Sequence, residues 1–280
     1  MTKHYEFLLN GEAIDLRQAI EAVGGDPHIT LLQWLRATGR TGTKEGCAEG
    51  ECGACAVVVR RIEAGQASGT FEAVNSCILP LLALEGAEVT SVEGVSPRSS
   101  TPNDADGALH PVQRALVERG GSQCGYCTPG FVMGLFTEYY RPGREGFDPA
   151  CVSGNLCRCT GYRPILEAGR SLPLPEASDP RLAELRRPGR VALSVVYENS
   201  GRHFVRPTSW QELWDALDRF PEHTLIHGGT DLMVYANQRY RRYPVLISLE
   251  GLAELRELHF TEEFVSLGAG ASLSRIDRWL

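Results

Sequence analysis

GTKEGCAEGECGACAVVV, residues 42–59, sets Cys47, Cys52 and Cys55 in a loop made otherwise of small and acidic residues, and runs straight into an apolar AVVV stretch. A hydrophobic core gains nothing from such a loop. Glycine costs backbone entropy and buries little, so a segment this dense in it marks a main chain that must adopt positive φ or pass close to another group. The β-branched run behind it reads as a strand.

The spacing says what is approached. A [2Fe-2S] cluster needs four thiolates around two irons, and Cys-x4-Cys-x2-Cys with Cys77 well downstream is its plant-type ferredoxin pattern. The oxidised cluster with its thiolates is a dianion, which favours backbone N–H groups aimed at sulfur; Gly46, Gly50 and Gly53 let the loop wrap tightly enough to supply them. A zinc site is the competing reading, although structural zinc usually prefers paired Cys-x2-Cys knuckles.

Working outward, HYEFLLNGEAIDLR (4–17) reads as two strands about an Asn10-Gly11 hairpin turn. TLLQWLRATG (30–39) is helical, with Leu31, Leu32, Trp34 and Leu35 on one face and Gly39 as a stop. AVVVRRI (56–62) and AEVTSVEGV (87–95) complete a β-grasp-like ferredoxin domain over 1–95. The polar, Pro-bearing 96–111 stretch leads to a change of period, and PVQRALVERG, PGFVMGLFTEYYR and YRPILEAGRSL predict a helical bundle over 96–172. A Pro-rich, charged linker open to proteases is expected at 173–194. The remainder, 195–280, alternates: helix at SWQELWDALDRF, strands at TLIHGG and VLISL, a short helix at GLAELREL, then FVSLGAG. The whole is a multidomain α+β chain ending in α/β material.

A second cysteine set lies in the bundle. SQCGYCTPGF (122–131) gives Cys124-x2-Cys127 and GNLCRCTGYRPI (154–165) gives Cys157-x-Cys159, each followed by Thr and a helix. Thr128 and Thr160 are placed to cap, and Pro129 suits a first turn, so both pairs are expected at helix N-termini whose positive ends favour thiolates. This partial repeat predicts two similar helical hairpins. Zinc is again the alternative, though Cys-x-Cys is unusual for it. Cys151 reads as a packed, non-ligating thiol.

Composition excludes much else. The net charge of −7 argues against a general nucleic-acid binder. The longest apolar run, near residue 78, is far short of the roughly 20 residues of a membrane span, and the N-terminus lacks a signal-peptide pattern. Nine cysteines, all before residue 160, in a chain expected to be cytoplasmic point to metal binding and not to disulfides.

Together the three cysteine segments resemble the iron-sulfur portion of the molybdenum hydroxylases, the xanthine dehydrogenase and aldehyde oxidase family. The resemblance implies one [2Fe-2S] cluster on Cys47, Cys52, Cys55 and Cys77, and another on Cys124, Cys127, Cys157 and Cys159. It implies a molybdopterin cofactor on a partner large subunit, contacted by Gln123, within a hetero-oligomer. Electrons would run from molybdenum through the bundle cluster and the ferredoxin-like cluster to FAD and NAD. No catalytic residue is assigned to this chain.

LIHGGTDLMV resembles the start of the family's FAD domain. A glycine turn after a strand can bring backbone N–H groups onto a diphosphate, which marks Leu225, Ile226, His227, Gly228, Gly229, Thr230, Asp231 and Leu232 as candidate FAD residues. The family's second glycine-rich flavin segment has no counterpart here, so the expected FAD site is incomplete. Gly268-Ala269-Gly270 reads as strand-end geometry without a ligand.

Overall fold

The computed structural model describes residues 4–61, 69–96 and 109–279. Strand β1 (Glu6–Leu9) pairs with β2 (Glu12–Asp15) about Asn10 and Gly11, both at positive φ (52° and 83°), the turn that matches strand twist. Helix α1 (Leu16–Glu21) follows, then α2 (Leu31–Ala37), whose start is fixed by reciprocal bonds between Thr30 and Gln33. Strands β3 (Ala56–Arg61), β4 (Thr70–Asn75) and β5 (Glu88–Thr90) complete a sheet of order β2-β1-β5-β3-β4, antiparallel except for the β1–β5 pair.

Strand β3 is the AVVV of the cysteine segment, and it has no polar face because both faces are covered. Val57 and Val59 enter one core with α1 and α2; Ala56 and Val58 enter another with the helical unit. The strand expected over 87–95 shortens to β5. Asn10 Oδ1 takes the Ser91 N–H (2.9 Å), and Val92–Gly94 turns into a 3-10 segment. Strand β4, unforeseen in TFEAVN, pairs along the whole of β3.

The helical unit comprises α3 (Pro111–Glu118), α4 (Thr128–Tyr139) and α5 (Arg163–Arg170). Helix α4 is buried along most of its length against the outer face of the sheet, through Phe131, Val132, Leu135 and Phe136. Two equivalent hairpins do not form. Between α4 and α5 the chain makes only one 3-10 turn, Pro149–Val152.

The expected linker is a strap. Helix α6 (Pro180–Arg186) starts at Pro180 behind the capping Asp179 and buries Leu185. Beyond it Arg60, itself 8% exposed, donates to the carbonyls of Arg187 (2.9 Å) and Pro188 (3.2 Å) and to Glu88 Oε1 (2.5 Å). Arg187 also reaches Glu88 (3.0 Å), Arg190 pairs with Glu6, and Glu85 accepts the Leu193 N–H. The prolines and charges that suggest a loose connection are the groups that fasten it.

In the third unit β6 (Val195–Asn199) and β7 (Arg202–Arg206) form a hairpin about Ser200-Gly201, with φ of 53° and 74°. Then come α7 (Trp210–Arg219), β8 (His223–Ile226), α8 (Leu232–Gln238) and β9 (Val245–Ser248), in a sheet of order β6-β7-β9-β8 with β9 parallel to both neighbours. GLAELREL forms no α-helix: Gly251, its backbone against the Pro207 carbonyl, ends a 3-10 turn begun at Leu249, and after Leu252 a second 3-10 turn spans Ala253–Arg256. Strands β10 (Leu258–Phe260) and β11 (Val265–Leu267) pair, and α9 (Leu273–Trp279) follows.

Residues 1–172 do not close their own cores. The first core runs on from Phe7, Leu31 and Leu82 into Val195, Tyr197, Phe204, Ile226, Met233 and Leu246 of the third unit. Among the polar contacts at this seam is His28: Arg202 donates to its Nδ1 (2.7 Å), so its Nε2–H donates to the His203 carbonyl (2.8 Å). Burial, above all, and the adjacent Arg202 charge push the His28 pKa down to about 4.

The strap yields a prediction. Arg60→Met leaves Glu88 and two carbonyls without their buried donor, destabilising the chain by about 2–4 kcal/mol. Limited proteolysis should cut the variant within 187–194 and spare the parent chain under the same conditions; equal cutting of both would mean that the strap is not held by Arg60.

Candidate metal centres

The first cysteine set gathers as two thiol pairs. Cys47 and Cys52 interlock: the Cys47 N–H donates to Cys52 Sγ (3.3 Å), while the N–H groups of Glu49 (3.3 Å) and Cys52 (3.4 Å) donate to Cys47 Sγ. Cys55 and Cys77, both 2% exposed, hydrogen-bond to each other, and Cys77 feels the charge of Cys47, so the pairs adjoin. The contact with Cys77 pulls the Cys55 thiol down to about 7 against burial, and the same contact pushes Cys77 up. Burial raises Cys47, but the N–H groups of Glu49, Cys52 and Glu51 outweigh it and leave that thiol below its usual range.

Glycines close the loop as their spacing requires. A side chain at Gly46 would strike Cys52 Sγ, and Gly50 and Gly53 sit at φ of 78° and 68°. Asn75, at the end of β4, donates to the Gly50 carbonyl (2.5 Å).

The second set is also two pairs. Cys124 bonds to Cys159 and both are exposed; Cys127 bonds to the buried Cys157, whose charge reaches Cys124. Cys157 is lowered to about 7: burial opposes the shift, and the Thr160 hydroxyl (3.2 Å) and N–H (3.4 Å) overcome it. Cys127 is pushed up to about 12, by burial first and then by Cys157.

The capping expectation needs correction. Cys127 itself is the N-cap of α4, with Thr128 already inside the helix and bonded to Ser122 (2.7 Å). Thr160 lies before α5, whose N-cap is Tyr162 at φ 66°; its hydroxyl serves Cys157 and accepts the Tyr162 N–H (3.2 Å). Only the first pair therefore lies at a helix end. Cys151 stands apart beside Glu138 and Asp148, pushed up to about 12 chiefly by burial.

A structural zinc ion needs four donors about 2.3 Å from one point. Among the described residues no three Cys, His, Asp or Glu side chains are gathered tightly enough to hold a single metal ion of any kind. Two adjoining thiol pairs match the donor set of a two-iron, two-sulfide unit, so the residues present fit [2Fe-2S] clusters at both places.

The two sets are joined by backbone. The Leu156 N–H, one residue before Cys157, donates to the Cys52 carbonyl (3.0 Å), and Asn155 Nδ2 donates to the Gly53 carbonyl (3.1 Å). The Gly53 carbonyl lies directly against Gly130 near the start of α4, where a side chain would clash. Gln123 is exposed beside Cys124.

The flavin-type segment borders the first set. Leu225 and Ile226 end β8; His227 Nε2 contacts the Gly270 carbonyl (3.0 Å), so the Gly268–Gly270 turn packs on this loop. Gly228 and Gly229 have φ of 68° and 71°; the Gly228 N–H donates to Glu250 (3.1 Å), and Gly229 is pressed onto the Ile78 carbonyl, next to Cys77. Thr230 and Asp231 are exposed, and Leu232 opens α8.

Sequence reasoning missed what α8 does at its other end. Asn237 Nδ2 donates to the carbonyls of Ala48 (2.9 Å) and Cys77 (2.8 Å), and Gln238 Nε2 donates to that of Cys47 (2.7 Å). Two amides at the end of a short helix carry no sequence signal for this.

Three family models match the chain: a 2Fe-2S iron-sulfur cluster binding domain over 14–81, a [2Fe-2S] binding domain over 92–170, and an FAD binding domain in molybdopterin dehydrogenase over 198–280. Xanthine dehydrogenase of Drosophila subobscura is 35% identical over 91% of this chain and 22% of its own length. Aldehyde oxidase 2 of Cavia porcellus is 32% identical over 96% of this chain and 23% of its own. Among solved structures, aldehyde oxidoreductase from Desulfovibrio gigas is 30% identical over 61% of this chain and 17% of its own, with a TM-score of 0.46. The chain spans less than a quarter of the length of these curated relatives.

The thiol environments predict an order of reactivity. In metal-free chain near neutral pH, exposed Cys124, lowered by the Tyr126 N–H and Cys159, should alkylate first; half-buried Cys127 and Cys151 should be slow, and fully buried, raised Cys77 last. Reconstitution with iron and sulfide should protect eight thiols and leave the rate at Cys151 unchanged. Protection of Cys151 in place of one of the eight, read by peptide mass mapping, would reassign the ligands.

Proposed function

Because the chain belongs to the molybdenum hydroxylases, the family of xanthine dehydrogenase and aldehyde oxidase, we propose that it is the electron-transfer subunit of a xanthine dehydrogenase. Its partner is a molybdopterin-binding large subunit, which carries the substrate pocket, and the assembled hetero-oligomer passes electrons to NAD in the cytoplasm. This chain alone does not hydroxylate. When bound, the two clusters supply one-electron carriers and FAD supplies the exchange with a two-electron acceptor.

What this chain contributes is the placing of those groups. Cys124, Cys127, Cys157 and Cys159 hold one cluster with its outer edge at the surface, where Gln123 is free to meet a pterin on the partner. Cys47, Cys52, Cys55 and Cys77 hold the other, and residues 225–232 form the near wall of the flavin site. The observation that carries the reading is a chain of close contacts: the Leu156 N–H, next to Cys157, bonds to the Cys52 carbonyl, and Gly229 packs on the Ile78 carbonyl, next to Cys77. That chain of contacts supports the order from molybdopterin to bundle cluster to ferredoxin-like cluster to flavin.

Xanthine is the favoured substrate on the strength of the xanthine dehydrogenase relatives. An aldehyde or N-heterocycle oxidoreductase is the second reading, because the aldehyde oxidase match is nearly as strong. Among the described residues no helix is long and apolar enough to cross a membrane.

Chain purified without oxygen should contain about four irons and about four acid-labile sulfides, with two EPR signals after dithionite reduction. Cys157→Ala should remove only one signal, and Cys151→Ala neither. A single signal at about two irons would end the two-cluster assignment. Co-expression with a molybdopterin subunit and comparison of xanthine-dependent with aldehyde-dependent NAD reduction separates the two substrate readings.

A further inference from the structure

We propose that Asn237, on the flavin-type unit, is a positioning residue that sets the reduction potential of the cluster held by Cys47, Cys52, Cys55 and Cys77. The proposal rests on the iron-sulfur reading of that site and adds a control exerted from another unit of the chain.

One peptide group makes the connection. The Ala48 carbonyl, which accepts from Asn237 Nδ2 (2.9 Å), belongs to the same peptide unit as the Glu49 N–H, which donates to Cys47 Sγ (3.3 Å). An amide whose oxygen accepts a hydrogen bond becomes a stronger donor through its N–H, because successive hydrogen bonds polarise one another. Asn237 therefore strengthens a bond to a ligand sulfur that it does not touch. Its second N–H, to the Cys77 carbonyl (2.8 Å), ties the distant fourth ligand to the same side chain.

Backbone strain explains why the loop needs an external hold. Ala48 sits at φ 56°, a region that costs a residue with a Cβ about 1 kcal/mol or more. The carbonyls on both sides of that residue's α-carbon are held from α8, Ala48's by Asn237 and Cys47's by Gln238 (2.7 Å). Released from them, the 48–49 peptide is free to rotate and turn its N–H away from Cys47. Gln238 is exposed and water replaces its bond readily, whereas Asn237 is half-buried between two carbonyls, so the effect is assigned to Asn237.

The sign follows from charge. Reduction adds one electron to an already anionic cluster, so N–H donation to its sulfurs favours the reduced form and raises the potential. Loss of the Asn237 amide lowers it. Because α8 begins at the glycine turn against Ile78, movement of that loop on binding a flavin would be felt at the same peptide.

The test is Asn237→Leu, which keeps the volume and removes both donors, made in the full chain with Gln238→Met as a companion. In dithionite titrations followed by EPR, the variant should show the first cluster's oxidised-to-reduced ratio raised about three- to tenfold at a fixed applied potential, a lowering of roughly 30–60 mV at 59 mV per tenfold. Its EPR g-values should move, and the second cluster should titrate unchanged. Gln238→Met should produce a smaller shift. Unchanged potentials in Asn237→Leu would overturn the proposal, as would equal shifts in both clusters or a proportional loss of iron from both, which report general loosening. Absence of both signals from the parent chain is a different failure, that of the iron-sulfur reading itself.

Discussion

Burial of β3 on both faces is the constraint on which the rest of the molecule depends. A strand with Val57 and Val59 in one core and Ala56 and Val58 in another cannot be displaced without opening both. The cysteine loop is the segment that leads into this strand, so its geometry is anchored at Cys55 by an element buried in two cores. The helical unit on one side and the first core on the other are then held at fixed distance. That is the condition for two redox centres to work together: transfer between carriers depends on separation, and here separation is set by a shared strand.

Around that anchor the polar contacts have a common pattern. Asn155 and Leu156 from the helical unit, Asn75 from β4, and Asn237 and Gln238 from the third unit all donate to carbonyls of the cysteine loop or of Cys77. The loop spends its N–H groups on sulfur, which leaves its oxygens outward and in need of donors. Neutral side-chain amides suit this place well. They supply N–H without adding a cation that would compete with the thiolates for each other's charge. The loop is thus assembled from three units, though its ligands come from one short segment and Cys77.

The cysteine spacing made both gatherings of thiols legible in the sequence, because metal chemistry demands particular residue types at particular intervals. The Asn10-Gly11 turn, α2 and α4 were legible for a similar reason: each is written in a local pattern of turn residues or apolar period. What escaped was decided by contacts distant in the chain. TFEAVN has no strong period, and becomes β4 because β3 offers it an edge. GLAELREL has helical composition, yet Gly251 is held against Pro207 at the end of one 3-10 turn and only Ala253–Arg256 turns again before β10 begins. The 173–194 stretch has the composition of a linker, and it is contacts with residues far back in the chain, Glu6, Arg60, Glu85 and Glu88 among them, that turn it into a strap. The cap at α4 was misread by one residue, since Cys127 takes the place that Thr128 would ordinarily hold.

The unequal burial of the two sites implies an order in time. Cys55 and Cys77 are closed over by a core that is complete only when Ile226, Met233 and Leu246 have docked, whereas Cys124 and Cys159 stay open to solvent in the finished fold. In the finished fold Cys55 and Cys77 are closed off while Cys47 and Cys52 are half-exposed, and in the second set Cys124 and Cys159 face solvent while Cys157 is buried. Iron at the first set would gain its two innermost thiolates as the fold closes, whereas iron at the second would meet Cys124 and Cys159 at any stage. Iron exchange into the finished protein, followed separately at each centre, would register that division as a difference in rate.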